Sequence, residues 1–130
     1  MESFTISTSL PATTEQIYEA WLSSEGHSQM TGSPAEVEGR SGGTFKAWDG
    51  YIWGKTLELE APSHIVQAWR TTEFPEDSPD SRVEILLEDV PDGTKLTLVH
   101  TDIPQGQGEG YKAGWEEFYF TPMRTYFGKK

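Results

Sequence analysis

The most regular hydrophobic pattern of the chain lies in residues 110–127. Side chains of core type recur there at helical spacing, namely Tyr111, Trp115, Phe118, Tyr119, Pro122, Met123 and Tyr126. At about 100° per residue they share one arc of a helix, whereas Glu117 and Arg124 fall mostly on the other side. This pattern predicts one long amphipathic helix that packs against a large surface. Pro122 predicts a kink near Phe118, because proline removes one backbone hydrogen bond.

Most of the preceding chain alternates between apolar and polar residues with period two, which is typical of strands that bury one face. The alternation predicts seven strands, at residues 4–10, 35–38, 44–48, 51–60, 65–72, 81–88 and 94–102. Two of the connections, Asp49-Gly50 and Pro91-Asp92-Gly93, have the length and composition of hairpin turns. Because such short loops join antiparallel neighbours, we expect an antiparallel sheet.

Two short helices are predicted between the first strand and the rest of the sheet. Thr13 and Gln16 have the spacing of a capping box, in which each side chain bonds the backbone of the other residue. The apolar face of this first helix comprises Ile17, Tyr18, Trp21 and Leu22. Ser23 or Ser24 is expected to cap a second helix that runs to about Thr31, with Met30 buried and Gly32 as its end. The fold class is therefore α+β, a curved sheet of six or seven strands that wraps the C-terminal helix.

The second hairpin predicts which strand residues face that helix. A two-residue turn at Asp92-Gly93 would pair Leu98 with Leu87 and His100 with Ile85. One face of these strands would then hold Val83, Ile85, Leu87, Leu96, Leu98 and His100. The same alternation groups Ile65, Gln67 and Trp69 on one face, and Phe45 with Ala47.

A sheet that bends around an aromatic helix often leaves a cavity, and small-molecule sites lie in such cavities. The expected ligand contacts are Trp21, Met30, Phe45, Gln67, Trp69, Ile85, Leu87, Leu98, His100, Trp115 and Tyr119. Ordinary core packing is the alternative for each of them. His100 could orient a ligand or titrate near neutral pH, or it could be a core histidine bonded to a backbone carbonyl or a helix tyrosine. His27 and His64 are expected at the surface.

The sequence gives little support for a metal site, a catalytic carboxylate pair or a phosphate-binding loop. The chain has no cysteine, and its three histidines lack any short metal-ligand spacing. Residues 73–80 form an acidic, proline-containing loop without the spacing of a calcium site. Glu116 and Glu117 diverge by about 100° on a helix and cannot converge on one substrate. The glycines at 106, 108 and 110 are interpreted as a flexible hinge or lid. Since no motif of a catalytic, metal or cofactor site occurs, we expect no catalytic residue, metal or cofactor.

The charge balance narrows the range of partners. A formal net charge of -11 opposes binding to nucleic acid and to anionic membrane surfaces. No apolar stretch approaches the ~20 residues that a membrane span needs. The first ten residues lack the pattern of a signal peptide, and we expect a cytoplasmic protein with a single domain over residues 1–130. An exposed edge strand and the tryptophans beside Asp49-Gly50 fit either a monomer or a homodimer.

An ordered succession of short motifs resembles a known family. The motifs are Pro11, Thr13 and Trp21, then 42–45 (GGTF), Gly54, Pro62, 65–70 (IVQAWR), 93–100 (GTKLTLVH), 103–104 (IP) and 114–119 (GWEEFY). The chain is similar to proteins related to the activator of the Hsp90 ATPase. That family lies within the START-like, helix-grip superfamily, which includes Bet v 1 allergens and polyketide cyclases. The resemblance implies a seven- or six-stranded antiparallel sheet gripping the C-terminal helix, with two short helices closing one end.

The resemblance and the residues together leave three hypotheses about function. The first is non-catalytic binding of a small hydrophobic or aromatic molecule between the sheet and the C-terminal helix. The second is a protein-interaction module or co-chaperone of an Hsp90-type chaperone, which the resemblance implies because in eukaryotic members of the family a domain of this kind belongs to a co-chaperone. The third is a cyclase- or hydrolase-like enzyme that uses the same cavity. It would need an inward acid–base pair, for which only His100 is a plausible member.

Overall fold

A seven-stranded antiparallel sheet forms most of the computed structural model, which describes residues 1–128. Its strands are β1 (Glu2–Leu10), β2 (Ala35–Val37), β3 (Thr44–Ala47), β4 (Ile52–Glu60), β5 (His64–Thr71), β6 (Ser81–Val90) and β7 (Gly93–Ile103). Each strand lies within two residues of its predicted bounds. The spatial order is β1-β7-β6-β5-β4-β3-β2, so consecutive strands pair from β2 to β7 and β1 pairs with β7.

Two short helices, α1 (Thr14–Trp21) and α2 (Ser24–Thr31), connect β1 to β2. The capping box of α1 is confirmed. The Gln16 N–H donates to Thr13 Oγ1 at 3.1 Å, and the Thr13 N–H donates to Gln16 Oε1 at 2.9 Å. The Ser23 side chain caps α2, which ends at Gly32 in the left-handed conformation with φ 81°. Both helices therefore begin, and α2 also ends, where the capping residues predict.

The register of the β6–β7 hairpin corrects one prediction and confirms another. Leu98 pairs with Ile85 and His100 with Val83, because the two-residue turn is Pro91-Asp92 rather than Asp92-Gly93. The prediction was wrong by two residues. Since side chains alternate with period two, a shift of two leaves each on its predicted face. All six residues assigned to the inner face are buried, namely Val83, Ile85, Leu87, Leu96, Leu98 and His100.

The connection between β3 and β4 is longer than the predicted two-residue turn. Ala47 pairs with Ile52, so the loop comprises the four residues 48–51. Trp48, Asp49 and Gly50 all have positive φ, at 52°, 57° and 87°. This left-handed run takes Trp48 and Tyr51 out of the sheet ladder and places both side chains beside the C-terminal helix.

The C-terminal helix also differs from the prediction. It begins at Gly108 with α3 (Gly108–Trp115), passes through a π-helical segment (Glu116–Phe120) and ends with α4 (Thr121–Gly128). The Thr121 N–H bonds the Glu116 carbonyl, five residues back. This widened turn next to Pro122, which has no N–H, replaces the simple kink that was expected. Because it adds a residue to the turn, Phe120 is fully buried and Phe118 is 47% exposed, whereas the regular period put Phe118 inside.

The helix and the inner face of the sheet share one core. Its helical part comprises Ile17, Trp21, Met30, Trp115, Tyr119, Phe120, Met123 and Phe127. The predicted α+β architecture, with a curved antiparallel sheet packed on a C-terminal helix, is confirmed. Within residues 1–128, no helix is long and apolar enough to cross a membrane.

Candidate ligand-binding cleft

An open apolar cleft of about 390 Å³ lies between the β3–β4 loop and the first half of the C-terminal helix. Its lining residues are Trp48, Tyr51, Ile52, Trp69, Gly110, Tyr111, Gly114, Trp115, Phe118 and Tyr119. Seven of these ten residues are aromatic. We call this site the aromatic cleft. Its volume falls in the range of small-molecule sites, which is about 300–1,000 Å³.

The cleft is open because the helix presents glycine to it. Gly110 and Gly114 lie one helical turn apart, and both line the cleft. A Cβ added at Gly110 would meet no atom within 4 Å, and one added at Gly114 would meet only Phe118 Cδ2 at 3.9 Å. No neighbouring atom therefore demands glycine at either position. The missing side chains leave space that a ligand can occupy.

The inner wall of the cleft is a continuous cluster of rings. The centroids of Trp115 and Tyr119 are 4.7 Å apart, and those of Trp69 and Trp115 are 5.5 Å apart. Trp21 stacks behind Trp115 at 6.2 Å. Ring pairs at these separations stabilise one another beyond the area they bury. The wall is thus a rigid apolar surface, formed before any ligand arrives.

The mouth of the cleft is formed by Trp48 and Phe118, which meet edge to face with centroids 5.4 Å apart. The Trp48 indole N–H is buried and lies beside the Tyr119 hydroxyl without the geometry of a regular hydrogen bond. Among residues 1–128, this N–H is the one buried side-chain donor without a hydrogen-bond partner. An unpaired buried donor is costly, so this N–H is a local weakness of the fold at the mouth of the cleft.

A polar network forms one rim of the cleft. The Tyr51 hydroxyl donates to the Glu73 carboxylate, and the Tyr111 hydroxyl donates to Gln107 Oε1 at 2.7 Å. Thr71 Oγ1 donates to the Tyr111 hydroxyl at 2.6 Å, and Gln107 Nε2 bonds the Glu73 carbonyl at 2.9 Å. Burial raises the pKa of Tyr51 and that of Tyr111, and the Glu73 carboxylate adds to both shifts. Both tyrosines are therefore neutral donors at physiological pH.

His100 is a core histidine rather than a group in the cleft lining. Its Nε2 lies 2.8 Å from Ser81 Oγ, and its Nδ1 accepts from the Trp115 indole N–H at 3.1 Å. Ser81 itself donates to the Trp69 carbonyl, so the His100 Nε2–H donates to Ser81. These partners replace the carbonyl or tyrosine that was considered from the sequence. Burial lowers the pKa of His100 to about 3 and keeps it neutral.

His27 corrects a sequence-based expectation, because it is 4% exposed and not at the surface. Its Nδ1 lies 2.9 Å from the Trp21 carbonyl, and its Nε2 accepts from the Tyr119 hydroxyl at 2.8 Å. Burial lowers the pKa of His27 as well. Its serine and glycine neighbours suggested a polar helix. The overlooked signal was the helical spacing of His27 with the buried pair Met30 and Thr31.

The structure separates the eleven predicted ligand contacts into two groups. Trp69, Trp115 and Tyr119 line the aromatic cleft. The other eight lie in the buried core around it, namely Trp21, Met30, Phe45, Gln67, Ile85, Leu87, Leu98 and His100. The Gln67 side chain accepts a hydrogen bond there from the Trp21 indole N–H and donates one to Thr56 Oγ1, at 3.2 Å each. Contact of any of the eleven with a ligand stays a prediction.

Sequence reasoning missed the outer half of the cleft. Six lining residues were not assigned to any site from the sequence, namely Tyr51, Ile52, Gly110, Tyr111, Gly114 and Phe118. The tryptophan pair beside the predicted hairpin turn was the available signal. Trp48 turns inward to the cleft, whereas Trp53 stays on the outer face of the sheet and is 37% exposed. In the part of the chain that the structure describes, no three His, Asp or Glu residues cluster to hold a metal ion.

Comparisons with known proteins place the chain in a family. A family model described as "Activator of Hsp90 ATPase homolog 1-like protein" matches residues 11–128. The human "Activator of 90 kDa heat shock protein ATPase homolog 1" is 29% identical over 114 residues, which are 88% of this chain and 33% of that protein. The chain thus spans about a third of the length of the curated relatives it matches.

Solved structures agree on the fold. The crystal structure of an HSP90 activator from Plasmodium falciparum has a TM-score of 0.87 and 28% sequence identity, and the match covers 98% of this chain and 97% of that chain. The solution structure of the Aha1 dimer from Colwellia psychrerythraea has a TM-score of 0.80 at 17% identity, with 98% and 97% covered, and this likeness concerns the fold alone. Since the family model spans nearly the whole sequence, the chain belongs to the family of activator of Hsp90 ATPase homolog 1-like proteins.

Proposed function

We propose that the chain binds a small apolar or aromatic molecule in the aromatic cleft and does not convert it chemically. The observation that supports this proposal is an open cleft of about 390 Å³ in which seven of ten lining residues are aromatic. Each Å² of apolar surface that a ligand removes from water contributes roughly 25 cal/mol. Flat rings gain further from stacking on Trp69, Trp115 and Tyr119.

The residues around the cleft favour binding over catalysis. Its lining includes three tyrosines but no carboxylate or imidazole. General acid–base chemistry needs a group whose pKa lies near the working pH and whose atoms reach the substrate. His100 meets neither condition, because its pKa is lowered to about 3 and both of its ring nitrogens are already bonded to Ser81 and Trp115.

A titration with N-phenyl-1-naphthylamine tests the proposal. This uncharged aromatic probe gains fluorescence in an apolar site, and its binding raises the melting temperature by mass action. We expect saturable binding with one probe per chain, together with a change in tryptophan emission. The absence of saturable binding, and of binding by other flat aromatic molecules, would contradict the proposal.

A second candidate is interaction with an Hsp90-type chaperone. It is favoured by the relatives, since the human protein at 29% identity and the Plasmodium falciparum protein at 28% identity are both named as activators of such a chaperone. The formal charge of -11 fits a basic surface on the partner. Co-sedimentation with a purified Hsp90-type chaperone, and the rate of its ATP hydrolysis, test this candidate. No complex and an unchanged rate would exclude it.

A further inference from the structure

We infer that the aromatic cleft selects an apolar organic cation, such as an aryl quaternary ammonium compound, over neutral and anionic molecules of the same shape. This inference rests on the proposed ligand-binding function and adds the charge of the ligand to it. It is carried by three features of the cleft, which are its ring faces, its acidic rim and the direction of the neighbouring cationic side chains.

The rings supply the first part of the argument. The face of an aromatic ring carries partial negative charge and attracts a cation within about 6 Å of the ring centroid, with tryptophan the strongest. Trp48 and Phe118 meet at the mouth with centroids 5.4 Å apart, and Trp69 and Trp115 are 5.5 Å apart on the inner wall. Because these rings pack against each other, a trimethylammonium group would bind on the cleft side of the rings and not between them. A quaternary ammonium is more weakly hydrated than a primary ammonium, so its transfer from water costs less.

The charge at the rim supplies the second part. Glu73 accepts a hydrogen bond from the Tyr51 hydroxyl, whose ring lines the cleft, so the carboxylate lies at its edge. Its field also reaches Tyr111 in the same rim, where it adds to the raised pKa of that hydroxyl. Asp49, in the β3–β4 loop, lines a separate surface depression with Lys46, so the charge at this rim is that of Glu73. The formal charge of -11 for the chain adds attraction at longer range.

The third part of the argument is that the cationic side chains on the neighbouring strands and helix do not line the aromatic cleft. Arg70 bonds Asp80 at 2.8 Å and lies over the Phe74 ring. Lys112 belongs to the same helix but lines a separate surface depression with Ile6. Arg124 bonds Glu116 and Thr8. Thus no lysine, arginine or histidine is among the residues that line the aromatic cleft, and an anion would find no counter-charge there.

Three molecules of one shape test the inference by isothermal titration calorimetry. They are 3-hydroxyphenyltrimethylammonium, its uncharged carbon isostere 3-tert-butylphenol, and the anion 3-hydroxybenzenesulfonate. We expect the cation to bind about tenfold more tightly than the neutral isostere, the sulfonate to bind weakest, and the preference to shrink as salt is added. Equal or tighter binding of 3-tert-butylphenol would overturn the inference and would leave the proposed apolar site intact. Binding of none of the three, nor of N-phenyl-1-naphthylamine, would contradict both.

A pair of variants locates the source of the preference. Glu73→Gln keeps an acceptor for the Tyr51 hydroxyl but removes the charge at the rim. We expect it to lower the ratio of cation to neutral affinity about threefold or more. Glu76→Gln removes a charge from the same loop at an exposed residue that is not part of the cleft lining, and the ratio should not change. Equal effects of the two substitutions would overturn the assignment to Glu73.

Discussion

Replacement of Gly114 by leucine should stabilise the protein and abolish ligand binding in the aromatic cleft. Gly114 lies within the continuous C-terminal helix, and a Cβ there meets only Phe118 Cδ2 at 3.9 Å, an ordinary contact distance. Glycine in a helix interior costs about 0.5–1 kcal/mol relative to alanine. The additional leucine carbons would occupy the cleft and bury apolar surface against its rings.

We expect the free energy of unfolding to rise by about 1 kcal/mol in Gly114→Leu, which corresponds to a melting temperature roughly 4 °C higher. Urea unfolding and N-phenyl-1-naphthylamine titration of the same preparation measure both effects. Most substitutions that abolish binding also destabilise the fold, so a more stable variant without binding is informative. It would separate the loss of the site from the loss of the structure.

Two matched variants complete this experiment. Gly114→Ala should gain most of the stability and still bind the probe, because one methyl group leaves most of the cleft open. Ala113→Leu adds bulk at the neighbouring exposed position, which lies outside the cleft, and should bind like the parent protein. Undiminished binding by Gly114→Leu would refute the location of the site. A loss of stability in Gly114→Ala would refute the description of this helix position.

Four further predictions concern the stability of the fold. His27→Ala should lower the free energy of unfolding by about 2–4 kcal/mol in urea, because it leaves a cavity and removes the partner of the buried Tyr119 hydroxyl. His64 Nε2 lies 2.6 Å from Glu84 Oε2 in a partly exposed contact, so His64→Ala should lower the free energy of unfolding by under about 1 kcal/mol. The pKa values of His27 and His100 are lowered by folding, so stability should be fully present above pH 6.5 and fall as the pH drops, by up to about 1.4 kcal/mol per unit for each histidine. A flat profile between pH 6.5 and 4.5 would contradict this. Thr13→Ala should cost about 1 kcal/mol in thermal unfolding through loss of the α1 cap, and an unchanged melting temperature would contradict the capping role.

The sheet was predictable because the period-two alternation assigns side chains to the correct face even when the predicted register is wrong by two residues. A two-residue shift in the β6–β7 register moved every pair, yet no side chain changed face. The capping residues Thr13 and Gly32 located the helix ends because each satisfies a specific backbone geometry. The family resemblance suggested the same architecture. The family model confirms the family, and the likeness to solved structures confirms the fold.

The cleft was harder to predict because it depends on departures from regular structure. A pattern of 3.6 residues per turn cannot anticipate a π-helical segment, which moved Phe118 from the core to the mouth of the cleft. A two-residue hairpin keeps its flanking side chains on the sheet, whereas the left-handed run from Trp48 brings Tyr51 to the rim. Gly114 read as an ordinary helical residue, and only the folded chain shows that it leaves room for a ligand.

The five tryptophans offer the most direct test of the aromatic cleft as a binding site. Each indole N–H gives its own signal in a nitrogen–proton correlation NMR spectrum of the labelled protein. On titration with N-phenyl-1-naphthylamine, the signals of Trp48 and Trp115 should shift in saturable fashion, since both rings line the cleft. The signal of Trp53, on the outer face of the sheet, should stay in place. Saturable binding that moves Trp53 while Trp48 and Trp115 stay unchanged would contradict the account.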